Sequence, residues 1–268
     1  MIRVEISKLL RRPRTWMSIA LLVLLPTIVA VFLDVTGIAP RPGTGPAFLT
    51  EVLRNGTLFP AAALAIVLPI FLPASVAVVA GDMVAGEAAS GTLRYLLVRP
   101  VSRTRLLIAK LVASLVYISL AVLIVAGTGY ITGVFAFGVH PLAAVSGGPP
   151  LTSEQVSFRI SMTILFIAWS MVGVAAIALF LSTLTDSGLA AALGTLAVLV
   201  ASTVLVTLDA AESVRPYLLT RYWLSFVDLF RTPILWRDVI RGFLLQGVYV
   251  VVLLAGAWAN FASKDITS

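Results

Sequence analysis

The chain is predicted to be an all-α, polytopic membrane protein with six transmembrane helices, and two observations carry that expectation. Of its 268 residues, 60% are hydrophobic and 12% charged, against roughly 45–50% and 25% in soluble domains. The apolar residues also fall in runs of about 20, the length at which an α-helix crosses a hydrocarbon core about 30 Å thick. Helices, not barrel strands, are expected to make the crossings.

Residues 1–14 are read as an N-terminal interfacial helix and 15–268 as the six-helix transmembrane domain. In the first, Ile2, Ile6, Leu9 and Leu10 form one helical stripe flanked by Arg3, Lys8, Arg11 and Arg12, and Pro13 ends it. That suits a helix lying along the membrane surface, or an ordinary positive-inside anchor. The charge ahead of the first apolar run, with no small-residue cleavage site after it, speaks against a removable signal peptide.

The spans are expected at Thr15–Thr36, Pro60–Ala80, Leu106 to about Ile131, Ser161–Leu181, Gly188–Leu208 and Arg241–Phe261. Pro69 and Pro73 remove successive helix donors and predict a kink in the second. Gly129 and Gly133 have the spacing that lets helices approach closely, within the bundle or in a dimer. Ser182–Ser187 is short enough to make the fourth and fifth spans an antiparallel hairpin. Between the fifth and sixth, residues 209–240 read as an amphipathic segment. There Leu219, Tyr222, Trp223, Phe226 and Phe230 recur at three- and four-residue spacing, as in a helix dipping into the interface or a lid on the bundle.

Lysine and arginine counts orient the chain. The N-terminal arm carries Arg3, Lys8, Arg11, Arg12 and Arg14, and the stretch between spans two and three carries Arg94, Arg99, Arg103, Arg105 and Lys110. Both termini and that stretch are therefore expected in the cytoplasm, with the last three bases at the inner headgroups. Arg215, Arg221, Arg231, Arg237 and Arg241, in the last external segment, run against the rule.

Catalytic groupings are absent from the sequence. There is no cysteine, hence no disulfide or thiolate chemistry. His140 has no second histidine with which to share a metal, and neither a zinc-protease, a nucleophile-elbow nor a P-loop motif occurs. Acids such as Asp34, Asp82, Glu87, Asp186 and Asp209 stand at the ends of the predicted spans, which disfavours a proton-coupled carrier. The net charge of +7 belongs to bases at span ends, where anionic headgroups, not nucleic acid, are the near partner. Neither catalytic, metal nor cofactor-binding residues are expected in this chain, so it is not read as an enzyme.

What remains is the polar island from Gly81 to Lys110, with an elbow at 81–105. Gly91 permits a break, Thr92 can cap a short helix at Leu93–Val98, Arg99-Pro100 stops it, and Ser102 can cap the third span. Such an elbow is either a plain reversal or a knob that passes force from a soluble partner into two helices.

DMVAGE at 82–87, GTL at 91–93, LL at 96–97, PVSR at 100–103 and Lys110 resemble the region between the second and third spans of ATP-binding-cassette type-2 exporter permeases. The basic N-terminal helix, the ending FASKDITS and the order of the six spans are similar to that family over essentially the whole chain. Ala88-Ala89-Ser90 departs from it, because charged residues are frequent there. The resemblance implies a permease subunit working by alternating access, paired with a second permease chain as homo- or heterodimer in a bacterial plasma membrane. It implies two copies of a cytoplasmic P-loop ATPase subunit, which hold the ATP and Mg. It also implies that 81–105 is a coupling elbow, with Glu87, Gly91, Thr92, Leu93, Leu96, Leu97, Pro100, Ser102 and Arg103 in the contact or coupling, the N-terminal helix as a second contact and Ser182–Ser187 as a third. The competing expectation is a non-transporting membrane anchor or regulatory scaffold for a cytoplasmic partner.

Overall fold

A computed structural model describes residues 1–36, 55–89, 102–139 and 151–263. Gly91, Thr92, Leu93, Leu96, Leu97, Pro100 and His140 lie outside the described residues. Helix α1 covers Ile2–Arg11. Arg12 then takes an extended conformation (φ −76°, ψ 123°), as a residue preceding proline must, and Pro13 opens α2, Pro13–Thr36. At 1.5 Å per residue α2 is about 36 Å long. Its buried stripe, Ile19, Leu22, Pro26 and Ala30, is narrow, and Leu21, Leu24, Ile28, Val31 and Phe32 point outward.

The second crossing breaks at the two prolines. Helix α3 (Phe59–Val67) follows a 3-10 turn at Gly56–Leu58, and α4 begins at Phe71 after a turn through Leu68–Ile70. Helix α4 does not end at Ala80 as expected but runs to Ala89. Asp82 and Glu87 therefore belong to a helix, not to an exit from it.

Helix α5 (Arg103–Phe137) starts at Ser102, whose hydroxyl accepts from the Arg105 amide, and ends at Gly138 with φ 68°, where a Cβ would be strained. Gly129 and Gly133 lie inside the bundle. A Cβ at Gly133 would stand 2.4 Å from the Gly56 carbonyl oxygen and from Phe59 Cβ, and one at Gly129 would stand 2.9 Å from Ala63 Cβ. The small residues thus seat α3 against α5.

Helix α6 (Ser153–Leu184) begins in a capping box between Thr152 and Gln155. Ser170 to Leu179 are buried without interruption, as in a helix enclosed on all sides. Around it pack α4, α5, α7 (Gly188–Thr207) and α8 (Trp236–Ser263). The hairpin loop is shorter than expected, Thr185–Ser187, because Ser182 and Thr183 remain helical and buried. Among the described residues six helices, α2 and α4 to α8, are long and apolar enough to cross a membrane. The chain is an all-α, multi-pass membrane protein.

Residues 209–240 differ from the expected amphipathic α-helix. They form 3-10 turns at Asp209–Ala211, Arg215–Tyr217 and Trp223–Phe230. With three residues per turn, Trp223, Phe226 and Leu229 fall on one face, and these are buried together with Phe230 against α6 and α8. Gln246 of α8, 2% exposed, donates to the Leu219 carbonyl at 2.9 Å and fastens this cap to the bundle.

Candidate functional site

Polar chemistry gathers at the end of the bundle that carries α1. Glu5 and Lys8 lie one helical turn apart on α1, so both point the same way. That face meets the last turns of α4 and the second turn of α5. Lys110 of α5, with 0% exposure, donates to Glu87 Oε2 at 2.6 Å and to the Met83 carbonyl, and stands 3.5 Å from Glu5 Oε2. Lys8 donates to Glu87 Oε1 at 3.1 Å and to Glu5 Oε1 at 3.2 Å. Each carboxylate thus bridges both ammonium groups, in a ring of two acids and two bases with no net charge.

Burial alone would be severe for such charges, and the alternation offsets it. Burial works against the ammonium of Lys8, but Glu87 and then Glu5 outweigh it and hold that group above its usual range. The gap left beside the ring, about 10 Å³, admits one water at most. An ion network of this kind, buried except at Lys8, which is 40% exposed, fixes register more surely than it adds stability. Here it locks α1, α4 and α5 in one relative position.

Two further contacts tighten the same region. Arg12 donates to Asp82 Oδ2 at 2.8 Å, joining the α1–α2 corner to α4. Ser182 of α6 donates to the Gly81 carbonyl at 2.6 Å and accepts from the amides of Val84 and Ala85 at 3.2 and 2.9 Å. Gly81 and Ala85 are the pair that an uninterrupted helix bonds directly. The hydroxyl therefore sits within the ladder of α4, one turn before Glu87, at a point where a helix bends most easily.

Among the residues expected to touch a soluble partner, Glu87 is 5% exposed and turns its carboxylate inward to the lysines. Any part it plays in coupling is as a positioning group. Ser102 is exposed and caps α5. Arg103 donates to the carbonyls of Phe261 and Ala262 at 3.1 and 3.0 Å, satisfying the end of α8. Lys110 does not turn outward to headgroups but is wholly buried within the protein, with Glu87 and Glu5 supplying its counter-charge. Ser182 and Thr183 are likewise buried, which leaves Leu184, Asp186 and Ser187 as the exposed part of the hairpin.

Sequence reasoning missed Glu5, Lys8 and Asp82 as members of a network. One signal was present: Lys110 stands four residues inside the third predicted span, where a lone charge calls for a buried partner. No group of three or more histidine, cysteine or acidic residues placed to hold a metal occurs among the described residues. No curated protein matches the chain. A family model described as a protein of unknown function (DUF2705) matches residues 23–267, and the chain, matched over most of its length, belongs to that family.

Proposed function

We propose that this chain is the membrane-spanning permease subunit of an ATP-driven exporter, which couples hydrolysis in a separate cytoplasmic ATPase to substrate passage by alternating access. The observation that carries it is the ring of Glu5, Lys8, Glu87 and Lys110. Residues 90–101, which hold six of the nine residues that the exporter resemblance puts in the coupling, join the end of α4 at Ala89, two residues after Glu87, to the Ser102 cap of α5. A push on that segment would be delivered to α1, α4 and α5 as one body, because the ring ties them together.

The chain performs no covalent chemistry in this reading. Two ATPase subunits, with ATP and Mg, close and open beneath a pair of permease chains, and the paired bundle exchanges an inward-open for an outward-open arrangement. In this reading both termini lie in the cytoplasm of a bacterial cell, and the tie between the start of α5 and the end of α8 keeps the last helix beside the elbow. Tagged protein extracted from its native membrane tests the reading. A P-loop ATPase subunit is expected to co-elute with ATP hydrolysis; a chain that elutes with no ATPase would overturn it.

A further inference from the structure

Between the corner of α1 and α2 on one side and α4 and α7 on the other lies an open crevice of about 160 Å³. Its walls are apolar, from Leu9, Val78 and Leu189, and Arg12 and Arg14 stand at its polar edge with a single acid, Asp82. Asp82 is already engaged: its Oδ2 accepts from Arg12, and its Oδ1 lies so close to Gly86 and Gly188 that a Cβ on either would stand 2.2 or 2.6 Å from it. Arg12 commits one Nη1 of the five donors that a guanidinium carries. Arg14 is exposed and has no acidic partner among the described residues. The crevice therefore presents one surplus positive charge over an apolar trough.

Its depth follows from the sequence around it. The apolar stretch of α2 starts directly after Arg14, and Trp16, 48% exposed, donates its indole N–H to the Leu10 carbonyl at 2.8 Å. Arginine and tryptophan two positions apart at the start of a span mark headgroup level. At that level the abundant anion is a lipid phosphate, and the trough beyond is shaped for hydrocarbon. Residues of the opening turns of α2 and α7 also line the crevice.

We propose that this crevice is a binding site for an anionic phospholipid, with the phosphodiester held between Arg12 and Arg14 and an acyl chain laid along Val78 and Leu189. The site does not depend on whether the chain transports. Native mass spectrometry of the protein, titrated with phosphatidylglycerol or phosphatidylcholine in detergent, tests it. Wild type is expected to retain phosphatidylglycerol in preference to phosphatidylcholine, with Arg14→Gln weakening retention at least about tenfold, the loss of a charge-assisted contact. Arg14 is exposed, so folding is not at stake. Leu189→Trp, at a position 70% exposed, is expected to displace the acyl chain while leaving both arginines in place. Equal retention by Arg14→Gln and wild type, or equal retention of the two lipids, would overturn the proposal. Release of bound lipid by millimolar inorganic phosphate would assign the crevice to a soluble anion and overturn the lipid assignment.

Discussion

At the scale of single residues, Lys110 and Glu87 decide more than any others. Removing one member of a buried, hydrogen-bonded ion pair leaves the other charge stranded, at a cost of about 3–5 kcal/mol. Glu87→Ala should therefore lower the thermal midpoint of the purified protein markedly, and Lys110→Met added to it should recover much of the loss. Thermal unfolding of the single and double variants in one detergent checks this, and an additive pair would contradict the ring. The acid at 87 and the base at 110 were plain in the sequence, but their meeting was not. Lys8 and Glu87 are 79 positions apart, and a run of charges after Ala80 reads locally as an exit from the membrane. Only the packing of α1 across the end of α4 shows that those charges neutralise one another.

Among elements, what was legible was what local stereochemistry controls. Pro69 and Pro73 break the second crossing wherever it packs, and Ser102 caps α5 by its own hydroxyl. The 3-10 character of Trp223–Phe230 was not legible, because three- and four-residue spacing overlap over so short a stretch and the surfaces of α6 and α8 choose between them. The pair Gly129 and Gly133 sat between these cases: the spacing announced close approach, but not to which helix. The contact with α3 makes a specific prediction. Gly133→Ala should destabilise by about 1–3 kcal/mol through overpacking, since its Cβ would meet Gly56 and Phe59 at 2.4 Å. At Gly127, where a Cβ meets nothing within 4 Å, alanine should be neutral or slightly stabilising. Thermal midpoints of the two variants, measured side by side, check the difference.

At the scale of the molecule, α6 is the enclosed axle, while α2, α7 and α8 turn most of their surface outward, which leaves apolar faces for lipid. An even number of crossings would return both termini to one side, and under the proposed orientation the basic N-terminal arm puts that side in the cytoplasm. The arginines of 209–240 dissent from the count, but Arg215 lies 3.4 Å from Asp209 and Arg231 2.9 Å from Asp228, so part of that charge is locally compensated. Because the chain has no cysteine, single cysteines report topology cleanly. Ser153→Cys and Ser213→Cys should react with an impermeant maleimide applied outside intact cells, and Ser90→Cys only after the inner face is opened. The same freedom from cysteine allows the most direct test of the proposed coupling. A photoactivatable cross-linker attached to Arg94→Cys in native membranes should join the chain to a P-loop ATPase subunit, and Ser213→Cys should not. Adducts from position 94 that contain no ATPase would contradict the account.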